Sequence, residues 1–161
     1  MPQPRKPTPI DPAQVRRHLS TVALVMNDHY LRYLLQLYAA FDGDIVAAIV
    51  LGEVAHHNAS RIRQGLTSRQ LAIRLADPTA RDGLVPTNAF SIAQATGIPR
   101  ETVRRKIAYL VGRGLLARDA RANLVFTVEA RDAFGDLTEQ LVRDLLECAD
   151  RLRELLDPPS V

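Results

Sequence analysis

The sequence predicts a mainly α chain that carries one small β-hairpin, and three observations lead there. Apolar residues recur at Tyr30, Leu34, Leu37 and Phe41, again at Val103, Ile107, Leu110 and Val111, and again from Leu137 to Leu155. Steps of three and four are the spacing of one helical face. Two short apolar runs, Leu115-Leu116-Ala117 and Leu124-Val125-Phe126, enclose the polar stretch 119–123 and read as a hairpin. The composition agrees: 47% of residues are hydrophobic, 5% are aromatic and none is Trp, so the core is expected to be aliphatic and helical. A chain of 161 residues suffices for one compact domain with helical extensions.

Residues 1–10 hold four prolines with Arg5 and Lys6, the composition of a flexible arm. It reads as a solubilising end, with a touch on a nucleic-acid backbone as the alternative. Asp11-Pro12 is a helix-start signal, and one or two helices are expected over 11–41, with the Tyr30 to Phe41 stripe facing a core or a second subunit. Asp42-Gly43-Asp44 breaks that run, and Asp44 is placed to cap the next helix, residues 45–58. That helix is apolar nearly all round over its first two turns, the pattern of a central buried helix. His56 and His57 near its end are neighbours about 100° apart on a helix and poorly placed to share a metal ion; a favourable charge or hydrogen bond at the C-terminus is the expected role. Residues 59–88 are expected to be an insertion with one short helix, capped by Thr67 or Ser68, running through Leu75 and ended by Asp77-Pro78. A turn follows at 81–83, and Arg69 and Arg74 extend the basic surface.

The segment 90–119, AFSIAQATGIPRETVRRKIAYLVGRGLLARD with its preceding Ala89, carries the most information. Ser91 reads as the N-cap of a short helix, and Gly97 suits the positive φ needed to leave it. Ile98 plugs the turn, and Pro99 fits the first position of the next helix, where a missing N–H costs nothing. Val103, Ile107, Leu110 and Val111 form the inner face of that helix, so Arg100, Glu101, Arg104, Arg105 and Lys106 occupy mostly the outer one. A helix of this length spans roughly 20 Å, enough to cross a DNA major groove with its first two turns against base edges. The hairpin that follows holds Arg118 and Arg121 near its tip.

With those residues in view, the chain resembles the winged helix-turn-helix transcription regulators. GIPRETVRRKIAYLVGRGLL is similar to the recognition helix of the Crp/Fnr regulators, and the helical upstream layout resembles that of the MarR-like regulators. The resemblance implies a winged helix-turn-helix domain with a two-stranded β-wing over 42–127, flanked by N-terminal helices and a long C-terminal helix. It implies sequence-specific binding of double-stranded DNA, with Arg100 and Glu101 as base readers, Arg105 on a base or a phosphate, and Thr102 on the backbone. Arg104 and Lys106 join them on the same helix, and Arg118 and Arg121 on the wing meet phosphate or the minor groove. The alternative is a winged domain that binds only proteins.

After the hairpin, Thr127 is expected to cap one long helix, 128–157, stopped by Asp157-Pro158-Pro159. Leu137, Leu141, Leu145, Cys148, Leu152 and Leu155 form its apolar stripe, which needs a partner. A homodimer through these terminal helices is the expectation, since two-fold dimers read paired half-sites. Charge supports the division of labour. Residues 86–131 hold eight Arg or Lys against three acids, whereas 132–161 hold three Arg against eight acids, so the middle of the chain is the part suited to face phosphate.

Catalysis has no support: there is no phosphate-cradling glycine loop, no metal-spaced His or Cys set and no nucleophile with an evident base. No cofactor is expected, and a small-molecule effector is possible but has no residue signature. Cys148, the single cysteine, excludes an internal disulfide and reads as a small buried hydrophobe. The basic, proline-rich start lacks the apolar run of a signal peptide, and the apolar run 45–52 is far shorter than the roughly 20 residues a bilayer requires. A cytoplasmic location is the expectation.

Overall fold

The computed structural model describes residues 10–76 and 84–156. The expected arm (apart from Ile10), the Asp77-Pro78 stop, the 81–83 turn and the Asp157-Pro158-Pro159 stop lie outside them. The chain is mainly helical with one small two-stranded antiparallel sheet. It divides into two compact units, 37–135 and the paired segments 1–36 and 136–161.

In the unit 37–135, the helix α2, Leu19–Ala40, ends where Asp42 and Gly43 adopt φ of 52° and 86°. Gly43 N–H closes back on Tyr38 O at 2.8 Å, and a Cβ at Gly43 would meet the Tyr38 ring at 3.0–3.1 Å, so this turn requires glycine. Asp44 then caps α3, Ile45–Asn58, its side chain accepting from Ala47 N–H at 3.0 Å. Ala47, Val50, Leu51 and Val54 of α3 are buried, and α3 packs beneath α6, Ala89–Thr96, and α7, Arg100–Gly112. Its burial is one-sided, however: Ile49 is 46% exposed. Ile92, Val103, Ile107, Leu110, Leu116 and Leu124 close the same core.

Strands β1, Leu116–Arg118, and β2, Leu124–Phe126, pair antiparallel with Arg118 opposite Leu124. Thr87 adds an isolated bridge to Leu124 on the other side of β2. Asn58, 1% exposed, knits this edge together. Its Nδ2 donates to Val85 O (2.8 Å) and Leu124 O (3.2 Å), and its Oδ1 accepts from Phe126 N–H (2.8 Å). Residues 85 and 87 thus bond to α3 and β2, and Thr87 is buried. The insertion itself holds two short helices instead of one, α4, Ser60–Arg63, and α5, Ser68–Ala76. Thr67 and Gln70 exchange bonds at the start of α5, Thr67 N–H to Gln70 Oε1 at 2.9 Å and Gln70 N–H to Thr67 Oγ1 at 3.4 Å, which is a capping box.

Three further expectations are corrected. Asn88, not Ser91, caps α6, because its side chain accepts from both Phe90 and Ser91 N–H at 2.9 and 3.1 Å. Pro99 is the N-cap of α7 and not its first helical residue: its ψ of 133° is extended, and the helical ladder opens with Val103 N–H on Pro99 O. The long C-terminal helix is two helices. Thr127 caps only α8, Val128–Ala133, and the break at Phe134 lets that ring stack on Phe41 with centroids 5.1 Å apart. Gly135 then begins α9, Gly135–Leu156.

The other unit holds α1, Pro12–Arg17, most of α2, and α9. Asp11 caps α1, with Pro12 in its first turn, as its Asp-Pro signal predicts. On α2, Val22 and Val25 are buried, whereas Tyr30 and Leu34 of the expected stripe are 53% and 48% exposed. Only Leu37 and Phe41 of that stripe reach a core. α9 has no buried residue, and Leu145 is 55% exposed. Gln36 to Asp144 (2.6 Å) and Arg151 to Asp28 (3.1 Å) are polar contacts between α2 and α9. Among the described residues no single helix is long and apolar enough to cross a membrane.

Candidate nucleic-acid interface

Burial of Val103, Ile107 and Leu110 at 0–1% exposure fixes which way α7 faces. At 3.6 residues per turn, those three positions turn Arg100, Glu101, Arg104 and Arg105 to solvent, and all four are exposed. Gly97, at φ 70°, supplies the left-handed residue that ends α6, and Thr96 Oγ1 accepts from Ile98 N–H at 3.3 Å. Ile98 itself packs against the core. The two helices thus meet through a fixed turn.

A groove of about 300 Å³ runs between α7 and the hairpin, lined by Glu101, Arg104, Arg105, Ala108, Arg118 and Leu124 together with Ala89 and Ile107. Three guanidinium groups line it against one carboxylate. Glu101 pairs with Arg104 at 3.5 Å, both side chains largely exposed, and such a pair contributes little to stability; both groups remain open to another partner. Arg105 reaches Thr102 Oγ1 at 3.5 Å. Arg100 lies 5.9 Å from the centroid of the Phe90 ring, a cation–π distance.

The hairpin turn is ordered by Asp119. Its Oδ1 accepts from Arg121 and Asn123 N–H, both at 2.8 Å, and its Oδ2 accepts from Asn123 Nδ2 at 3.1 Å. The Asn123 side chain first, then the Asn123 and Arg121 amides, hold the Asp119 carboxyl below its ordinary range. Arg118 donates to Ala122 O at 3.0 Å, which ties its guanidinium over the turn, and Arg121 is exposed beside it.

Lys106 departs from the expected set. Its ammonium sits 2.6 Å from Asp44, with side chains 27% and 25% exposed, so it anchors α7 to the cap of α3 and does not face the groove. Burial alone would raise the Asp44 carboxyl; the bond from Lys106, with the Ala47 and Val46 amides, outweighs it and holds the group below the ordinary carboxylate range. Seven of the eight expected residues remain outside this anchor. Arg100, Glu101, Thr102, Arg104 and Arg105 share α7, and the hairpin supplies Arg118 and Arg121. Phe90 and Ala89 were not anticipated; an exposed aromatic two turns before Gly97 is the signal that would have found Phe90.

The arrangement offers guanidinium donors and one carboxylate acceptor on a rigid helix, the groups that recognise phosphate and base edges. Among the described residues no group of three His, Cys, Asp or Glu side chains could hold a metal ion. No family model, curated protein or solved structure matches the chain.

Proposed function

We propose that this protein is a sequence-specific double-stranded DNA-binding transcription regulator of the winged helix-turn-helix type, acting in the cytoplasm as a homodimer. The observation that carries the reading is the groove between α7 and the hairpin, where Arg104, Arg105 and Arg118 converge. In this reading α7 enters the major groove. Arg100 and Glu101 read bases, Arg104 and Arg105 contact bases or phosphates, and Thr102 touches the backbone. The hairpin acts as the wing, with Arg118 and Arg121 on phosphate or the minor groove. Lys106 drops out as a contact, because its ammonium is committed to Asp44.

The dimer rests on α2 and α9. Leu24, Tyr30, Leu31, Leu34, Leu35, Val142, Leu145 and Leu146 are each about half exposed or more. Eight large apolar side chains on two helices supply the material of a dimer contact, of which a standard interface takes about 800 Å² from each partner.

The test is selection of bound genomic fragments at controlled salt, followed by titration of the Arg104→Ala and Arg105→Ala variants, with sedimentation velocity reporting the dimer. Loss of a base contact should cost about 1–3 kcal/mol and relax discrimination at one position; loss of a phosphate contact should flatten the salt slope by about one unit. Unchanged binding in the folded Arg100, Arg104 and Arg105 triple alanine variant overturns the assignment and favours a protein-binding winged module.

A further inference from the structure

The α4–α5 segment has no part in the fold's central core, yet its charge is wholly of one sign. Between Glu53 and Asp77 there are four arginines, Arg61, Arg63, Arg69 and Arg74, and no acid. All four are exposed. Arg61 and Arg69 have no acidic partner among the described residues, and Arg63 donates to His56 Nδ1 at 2.9 Å. Arg74 already has an interaction of its own.

Two features hold this charge in place. Ile62 is 8% exposed, which pins the single turn of α4, and the Thr67–Gln70 capping box sets the start of α5. A third feature fixes where the segment begins. Asn58 bonds to Leu124 O, and Leu124 is the residue directly opposite Arg118. Arg61 follows three residues later, so its Cα lies within roughly 11 Å of the Asn58 Cα. The arginine-rich segment therefore starts from the residue that bonds β2 on the side away from β1.

We propose that α4–α5 is a second phosphate-binding arm, with Arg61, Arg63 and Arg69 holding the backbone of the same duplex beyond the hairpin. The proposal rests on the DNA reading above and extends the footprint of each protomer beyond its own half-site. A nucleic acid is favoured over an anionic membrane because α5 spans only about 13 Å, and among its described side chains the large apolar ones the segment exposes are Leu66 and Ile73. That is too small an apolar face for interfacial anchoring, which scales with buried apolar area.

The experiment compares the full-length protein with the Arg61→Ala, Arg63→Ala, Arg69→Ala triple variant on a duplex recovered from the selection, between about 50 and 200 mM salt. Each lost phosphate contact flattens the log–log salt slope by about 0.9 units. Three contacts in each protomer of the proposed homodimer, six in all, predict a change of about 5.4, so the wild-type advantage shrinks about 1,800-fold across that fourfold salt range. Base discrimination should be unchanged, and nuclease protection should shorten on the same side of each half-site. An unaltered slope and footprint overturn the proposal while leaving the DNA reading intact if the Arg104 and Arg105 variants still lose affinity. If the wild type binds no duplex at all, the DNA reading itself fails. Binding to mixed phosphatidylcholine–phosphatidylserine vesicles that the triple variant loses, with DNA titrations unchanged, reassigns the arm to lipid and also overturns it.

Discussion

Replacing Asn58 by alanine removes three hydrogen bonds from a site that is 1% exposed. Leu124 O keeps an acceptor role through Thr87 N–H at 3.4 Å, but Val85 O and Phe126 N–H lose the partner that reaches them from α3. A net bond is worth about 1 kcal/mol, and a buried group left unpaired costs about 1–3 kcal/mol. The expected loss is about 3–5 kcal/mol, a large part of the roughly 5–15 kcal/mol that stabilises a domain. Urea unfolding followed by far-ultraviolet circular dichroism reads it as a lower midpoint at unchanged slope. The Asn58→Asp variant sharpens the test. The introduced carboxylate still accepts from Phe126 N–H but faces two carbonyl oxygens, so it favours the protonated form. Its folded pKa should rise, and the variant should regain stability as the pH falls toward about 4. A loss under about 1 kcal/mol for alanine, or no acid recovery for aspartate, would refute the view that Asn58 joins α3 to the sheet.

Asp44 titrates below its ordinary carboxylate value in the folded chain, and that ordinary value, about 3.9, is the unfolded one. Its contribution is therefore complete above about pH 4 and fades as the pH falls through the folded value. The Asp44→Asn variant should cost about 1–2 kcal/mol at neutral pH while keeping the cap. It should also remove part of the acid-side loss of stability, and a double-mutant cycle with Lys106→Met should show coupling. Thr87 presents a different opportunity: its Oγ1 is buried with no hydrogen-bond partner among the described residues, so Thr87→Val should raise stability by about 1 kcal/mol, and a drop in the thermal midpoint would contradict that.

Short-range signals carried much of the fold. Asp44 after Asp42-Gly43, Gly97 at the turn and Thr127 after the hairpin each act on residues within three or four positions, and each performs the local role its sequence context indicates. What escaped depends on distance along the chain. Asn58 takes partners 27 to 68 residues away, Lys106 meets Asp44 across 62 residues, and neither pairing leaves a trace in periodicity. The division at Phe134 escaped for a related reason. The run from Thr127 contains only Gly135 as a weak helix former, and the ring's preference for Phe41 is a tertiary effect. For the interface, the outward residues of α7 followed directly from its inner apolar face. The exception was Lys106, whose position three residues after Val103 and one before Ile107 places it at the margin of the exposed arc.

The single bridge at Thr87 has a consequence for how copies of this protein meet in concentrated solution. It covers one side of β2, while β1 covers the other, so β1 is the open margin of the sheet among the described residues. That margin is three residues long and ends in Arg118. Short length and a terminal charge are what discourage edge-to-edge strand addition. The same guanidinium that lines the groove thereby helps keep the hairpin from seeding aggregates.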